Sequence, residues 1–282
     1  MSRLRVLVTG AAGYIASQLL PSFRELYDLV LLDVRNTDRQ GRVIPDIILA
    51  DLTDPDLDRY RAHFRGVEVV VHLAYVHRGP DPRRHYYDER TNIDMAYHVY
   101  QVSLEEGVRR VVVASSNHAA DWYEHLIRTK QLEMIGPESP RPLSDNFYGW
   151  AKECYEHLGF IYASGALGRR LEIVQIRIGA PREIRVENFL NDPVGYKRDL
   201  GAYISQRDLQ QLFNKSIQAP NIDNEWGVPF QVFYGISDNA RKFWSIANAR
   251  RVIGYAPEDD SEVRYARDIA WFLGGLPRPE HG

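Results

Sequence analysis

Six short runs of β-branched residues and leucine punctuate the first part of the chain: RVLVT at 5–9, DLVLLD at 28–33, DIILA at 46–50, VEVVVHLA at 67–74, RVVVAS at 110–115 and EIVQIRI at 172–178. They are continuously apolar rather than alternating, which is the pattern of strands covered on both faces. Between most of them lie stretches at helical spacing, such as Ile93, Ala96, Tyr97 and Tyr100. Strand and helix in alternation predict an α/β fold with a doubly wound parallel sheet.

After about residue 180 the rhythm changes. REIRVENFLNDPVGYKRDLGAY is polar and irregular, SQRDLQQLFNKSIQAP reads as a helix, FQVFYGIS as a strand and KFWSIANARRVIGY as a helix. The expectation is a sheet-bearing unit over residues 1–180, which the glycine turn described next marks as the nucleotide-binding one. Residues 181–282 would form a small C-terminal substrate lobe interleaved with the end of the sheet.

VLVTGAAGYIAS follows the first predicted strand. Gly10 permits a tight turn, Gly13 lets backbone approach a pyrophosphate, and Ala16 keeps the helix close to the sheet. The amides of the helix start then face the phosphates, as in a Rossmann dinucleotide site. Asp33 ends the second strand, where a carboxylate accepts hydrogen bonds from the adenosine ribose diol and repels a 2′-phosphate; this favours NAD over NADP. Arg35 is the counter-signal, because a guanidinium can bind that phosphate. Asp51 and Leu52, after the third strand, either flank the adenine or, for Asp51, cap a helix begun by DPDLDRY.

FYGWAKE sets Tyr148 and Lys152 one helical turn apart on one face. Bringing a tyrosine from its ordinary pKa of about 10 to neutrality takes roughly 3 units, or about 4 kcal/mol. A neighbouring ammonium and a positively charged nicotinamide ring can supply that. The segment SSNH at 115–118 contributes hydroxyl, amide and imidazole groups directly after the fifth strand.

Together TGAAGYIA, Asp33, VVHLA, Asn92 in RTNIDMAYHV, SSNH and YGWAK resemble the extended short-chain dehydrogenases/reductases, the NAD-dependent epimerase/dehydratase group. Within that group ASSNH, RPLSDNFYGWAK, RIG at 177–179 and ISQRDLQQLF look most like uronate dehydrogenases, which oxidise C1 of a hexuronic acid to an aldarolactone. The resemblance implies NAD as cofactor, with contacts from Gly10, Gly13, Tyr14, Ile15, Asp33, Asp51, Leu52, Leu73, Ala74, Asn92 and Lys152. It implies Tyr148 as general base, Lys152 as the group that holds the ribose and lowers the tyrosine pKa, and Ser116, rather than Ser115, as the hydrogen-bond partner of the reacting oxygen. Asn117 and His118 fall where substrate is read, His77 falls near a substrate-binding position, and Arg198 matches an arginine suited to clamp a carboxylate. Asn92 is further expected to buttress the sheet. At least a homodimer is implied, through the helices carrying residues 86–106 and 147–164.

The chain departs from the uronate dehydrogenase pattern at His77 and Ala180, where serines are expected, and in a longer loop after His118. Dehydratases carry an Asp-Glu pair where this chain has Asn117 and His118, which counts against elimination of water. An epimerase acting on nucleotide sugars, and a non-catalytic NAD-binding regulator, remain the alternatives. HRGPDPRRHYYDER can bind an anionic group or form a solvated loop. His77, His85, His118 and His125 match no zinc spacing, so no metal is expected.

The composition fits this class. The 282 residues are 44% hydrophobic and 26% charged, and a formal net charge of −3 gives no general attraction to nucleic acid or anionic membrane. The single cysteine, Cys154, excludes an intrachain disulfide and a thiolate-rich metal site. No apolar run approaches the length of a signal peptide or a membrane span, so a cytoplasmic protein is expected; a sugar or sugar-acid partner is what the resemblance implies.

Overall fold

The computed structural model describes residues 3–277; the extreme ends of the two expected segments, 1–2 and 278–282, lie outside the described residues. Seven parallel strands form one sheet: β1 Arg5–Thr9, β2 Asp28–Asp33, β3 Ile47–Leu49, β4 Val69–His72, β5 Arg110–Ser116, β6 Glu172–Ile178 and β7 Phe230–Gly235. Their spatial order is β3-β2-β1-β4-β5-β6-β7. The chain winds outward from β1 to β3, returns to β4 beside β1 and winds the other way, as the apolar runs predicted. A doubly wound sheet of this order opens a crevice at the strand C-termini where the direction reverses, between β1 and β4.

The continuous apolar runs are explained by cover on both faces. Val6, Val8, Val69 and Val71 pack with Leu19 and Phe23 of helix Tyr14–Leu26 and with Leu209 and Phe213 of helix Gln206–Gln218. Leu7, Val70 and Val111 face the other way, onto Val99 and Tyr100 of helix His85–Glu105 and Ala151 and Tyr155 of helix Phe147–Ser164. Successive strand residues thus alternate between two buried layers.

Residues beyond 180 are divided between two places. β7 and helix Gln206–Gln218 belong to the sheet and its cover, whereas Ile184, Val186, Tyr196, Leu200, Tyr203, Tyr265 and Ile269 form a small cluster of their own. The helix expected across KFWSIANARRVIGY is confined to Ala247–Ile253. Upstream, Ile135 donates its amide to the Phe243 carbonyl (2.7 Å) and accepts from the Ser245 amide (2.9 Å), holding that backbone extended with Trp244 fully buried. Likewise DPDLDRY yields only a short helix, Asp58–Arg61. No helix among the described residues is long and apolar enough to cross a membrane.

Candidate active site

At the end of β1, Gly10 adopts φ 68°, and a Cβ there would stand 2.6 Å from the Ala74 amide nitrogen. Only glycine permits both the turn and this approach of β1 to β4. Gly13 is the N-cap of helix Tyr14–Leu26, and a Cβ on it would lie 2.9 Å from the Gly10 carbonyl. The far side is fixed by Thr9, whose hydroxyl accepts from the Leu73 and Ala74 amides at 3.2 and 3.3 Å. It also lies 2.8 Å from His72 Nδ1. Burial, with Lys152 nearby, pushes His72 down to about 3, so this brace is uncharged. Asp33 accepts from the Ala12 amide (2.9 Å) and the Arg35 amide (3.1 Å), which fastens the end of β2 to the glycine turn. Asp51 accepts from the Thr53 amide and hydroxyl at 2.9 and 2.7 Å, capping a turn there instead of the DPDLDRY helix.

A cleft of about 830 Å³ runs along this edge of the sheet. Asp33, Asp51 and Leu52 line one region, Gly10, Gly13, Tyr14, Ile15, Leu73 and Ala74 the middle, and His77, Ser116, His118, Tyr148 and Lys152 the other end. The donor set suits an extended dinucleotide. Side chains are missing where a pyrophosphate must approach a helix start, and a carboxylate stands where a ribose diol would be held.

Tyr148 and Lys152 project from the first turns of helix Phe147–Ser164, whose N-cap Asn146 accepts from the Gly149 amide at 3.0 Å. Gly149 is required for a local reason: a Cβ would collide with the His118 carbonyl and the Ser144 hydroxyl. The helix is therefore pressed against the SSNH segment. Burial holds the Tyr148 phenol above its ordinary 10, against the lowering effect of the neighbouring Ser116 hydroxyl. The expected lowering by Lys152 is not built into the protein alone. Lys152 Nζ donates to the Ala114 carbonyl (3.0 Å) and lies 5.6 Å from the centre of the Tyr148 ring. Burial brings Lys152 itself down to about 8, against the pull of Glu89 and Glu156. Ser115 donates to Glu156 (2.9 Å), which also pairs with the buried Arg177, so its hydroxyl serves the core.

His118 faces the Tyr148 ring at 5.8 Å, and its Nδ1 lies 2.9 Å from Asp121, which also accepts from Asn146 (2.8 Å). His77 stands at the rim against Tyr75.

Three expected site residues are elsewhere. Asn92 is fully buried away from the cleft and clamps backbone instead: it accepts from the Val76 amide (2.8 Å) and donates to the Val76 carbonyl (2.9 Å). Asn117 is buried behind Ser116, whose hydroxyl it accepts at 3.4 Å, and does not line the cleft. Arg198 is drawn away by Glu124 of the extra loop, with donors at 2.8 and 3.1 Å, and by Asp199 at 3.3 Å. Its guanidinium stacks over Trp244, outside the residues that line the cleft. In this arrangement the Arg198 charge is matched by Glu124 and Asp199 rather than presented to the cleft.

Glu89 and Tyr75 went unnoticed in the sequence. Glu89 is fully buried, accepts from Tyr75 (2.6 Å) and Asn92 (3.4 Å), and lies 3.4 Å from Arg78 Nε. The Tyr75 ring stands edge-on to Tyr148 at 5.6 Å. Glu89 precedes Asn92 by one helical turn, and a carboxylate on an inward face was the available signal.

A family model described as the NAD dependent epimerase/dehydratase family matches residues 6–173. The chain is 33% identical to the NAD-dependent glucose-6-phosphate dehydrogenase of Haloferax volcanii, over 91% of this chain and 94% of that one. It is 29% identical to the uronate dehydrogenase of Pseudomonas syringae pv. tomato, over 93% and 85% respectively. The crystal structure of uronate dehydrogenase from Agrobacterium tumefaciens aligns with a TM-score of 0.72 at 25% identity, covering 99% of this chain and 92% of that one. With the glycine turn, the Tyr148–Lys152 helix and the strand order all in place, the chain belongs to the NAD-dependent epimerase/dehydratase family of extended short-chain dehydrogenases/reductases and is an NAD-dependent enzyme.

Proposed function

We propose that this NAD-dependent dehydrogenase oxidises a sugar or sugar acid at its C1 hydroxyl to the lactone, with Tyr148 as base and Ser116 and Lys152 assisting. The observation that carries the reading is that Ser116, Tyr148 and Lys152, the last one helical turn on from the tyrosine, all line one end of a dinucleotide-shaped cleft. The names of the similar proteins, dehydrogenases of glucose-6-phosphate and of uronate, support it.

In this mechanism Ser116 donates to the C1 oxygen and aligns its hydroxyl with Tyr148. Tyr148 takes the hydroxyl proton as the C1–H bond breaks and releases it toward solvent. NAD held along the cleft would supply the hydride acceptor for C1 and a positive ring that favours the phenolate. Lys152 would hold the nicotinamide ribose and, protonated below about pH 8, adds a second positive charge near the phenol. Residues 1–180 carry cofactor and reacting groups, while the segment from 181 onward closes the far wall through Pro181 and Arg182. Tyr14 and Gln18 tie that wall to the cofactor helix by donating to the Pro181 carbonyl at 2.7 and 2.9 Å.

The test supplies NAD with uronates, aldoses, sugar phosphates and nucleotide sugars and follows NADH. NADH from at least one uronate, aldose or sugar phosphate is expected. Interconversion of a nucleotide sugar without net NADH would replace the reading with epimerisation. Tyr148→Phe should lower kcat by about 10²–10⁴-fold with NAD affinity unchanged; near-normal turnover would exclude Tyr148 as the base.

A further inference from the structure

A second pocket, of about 740 Å³, opens beside the reacting end of the cleft and shares Tyr75, His77, His118 and Tyr148 with it. Its remaining lining is Arg78, Gly79, Pro80, His85 and Asn146. Among the described residues that line it there is no aspartate or glutamate, while an arginine and three histidines are present. Arg78 gives this wall a cationic donor, and a substrate whose reacting carbon lay at Tyr148 would extend its remote part toward it.

The segment carrying Arg78 is not a loose solvated loop. Its backbone is held on both sides by helix His85–Glu105. Asn92 makes paired hydrogen bonds to Val76, and Asp88 accepts from the Gly79 amide at 3.0 Å. His85 Nε2 lies 3.1 Å from the Gly79 carbonyl. Residues 77 and 78 are thus displayed from a fixed frame, which keeps the ordering cost of binding low. Arg78 itself packs over the Tyr148 ring at 5.5 Å, and Glu89, behind it, lies 3.4 Å from Nε. That carboxylate divides its oxygens among Tyr75, Asn92 and Arg78, so it orients the guanidinium without matching it in the way Glu124 matches Arg198. The Arg78 side chain keeps 37% of its surface exposed, against 16% for Arg198. A guanidinium presents several donors in a planar fork, so an edge engaged through Nε leaves it able to pair with an anion.

We propose that the substrate is an anionic sugar, bearing a carboxylate or a phosphate on its end remote from C1, and that Arg78 on the braced 76–79 segment is the residue that selects it. The proposal rests on the C1 oxidation reading for its orientation. Arg78 takes the anchoring role expected of Arg198.

The test is calorimetric titration of the NADH-loaded protein, which binds sugar without turning it over. The probes are a hexuronate, a hexose 6-phosphate and the neutral parent hexose. At least one anionic sugar should bind about tenfold or more tightly than the neutral hexose, and the stronger arm tells carboxylate from phosphate. Arg78→Gln should erase that margin and leave the affinities for NADH and for the neutral hexose unchanged, while Arg78→Lys restores part of it. In the wild-type protein the margin should shrink as sodium chloride is raised. Equal binding of all three sugars, a margin that survives in Arg78→Gln, or a margin indifferent to salt overturns the proposal, and the salt series decides even if the variant fails to fold. An intact margin with no NADH formed from any sugar would instead remove the dehydrogenase reading and leave the anion anchor standing. NADH formed with no anionic margin would do the reverse.

Discussion

Lys152 is a positive charge largely withdrawn from water at the floor of the cleft, and its sole hydrogen bond among the described residues is to the Ala114 carbonyl. A shift from 10.5 to about 8 corresponds to roughly 3 kcal/mol of destabilisation while both folded and unfolded states carry the proton. The sign follows from proton counting. Below pH 8 the penalty is complete. Between pH 8 and 10.5 the folded protein releases a proton that the unfolded chain keeps, so wild-type stability recovers as pH rises. Lys152→Met should therefore melt at a higher temperature than wild type at pH 7, by an amount that shrinks toward pH 10, while losing turnover. A melting difference constant across that range would show that the buried ammonium carries no such cost. Arg198→Ala tests a different arrangement. Removing the guanidinium leaves Glu124, whose side chain is 8% exposed, with only Arg128 at 3.6 Å as a partner, and should cost about 2 kcal/mol in chemical denaturation. Discrimination between acidic and neutral sugars should not change, and a selective loss on acidic substrates would return Arg198 to the site.

Between residues and molecule stands the contact of helix Phe147–Ser164 with the segment that follows β5. Gly149 touches the His118 carbonyl, Asn146 caps the helix, and Asp121 joins His118 to Asn146. The helix start and the SSNH segment therefore behave as one unit that sets Tyr148 beside Ser116 in the cleft. Gly149→Ala should push the helix outward, costing about 1–3 kcal/mol of stability. A displacement near 1 Å at Tyr148 should lower kcat about 100-fold, with NAD affinity little changed. Asn146→Ala, which loses the cap and the hydrogen bond to Asp121 but adds no bulk against the His118 carbonyl, should cost about 1–2 kcal/mol and serves as the control; equal kcat values in the two variants would refute the steric coupling. This contact also marks how far the sequence could be read. The strands, the glycine turn and the Tyr148–Lys152 spacing depend on local pattern, and all were legible. The partners of Arg198, Asn117 and Asn92 depend on long-range packing. Glu124 meets Arg198 only because the extra loop after His118 folds back, and no local periodicity announces that. Trp244 lies outside its expected helix for the same kind of reason, a backbone pairing with the distant Ile135.

At the scale of the molecule, the two helices that cover the β4–β5 side of the sheet leave an aromatic surface uncovered. Tyr86 stacks on Trp150 at 5.6 Å and meets Phe147 and Tyr87 edge-on at 6.0 and 5.3 Å. Tyr86, Tyr87 and Phe147 are 41%, 60% and 46% exposed, and Tyr97 and Ile161 on the same helix pair are 45% and 41% exposed. Apolar surface gathered in this way is favourable to bury, and a two-fold axis lets one patch cover its own copy. The face adjoins the site, since Phe147 directly precedes Tyr148 and Tyr86 follows His85 of the anion pocket. A dimer formed here would stiffen the helix start that positions the base. Sedimentation at micromolar concentration should give a species of twice the 32.5 kDa chain mass. Tyr87→Glu together with Ile161→Glu places charges on the exposed parts of the face while sparing every group assigned to chemistry, and should shift the species to monomer. If the double variant sediments like wild type, or wild type is itself a monomer at that concentration, this face is not a subunit interface. If it becomes a monomer, kcat should fall more than NAD affinity, because the interface supports the base and not the glycine turn.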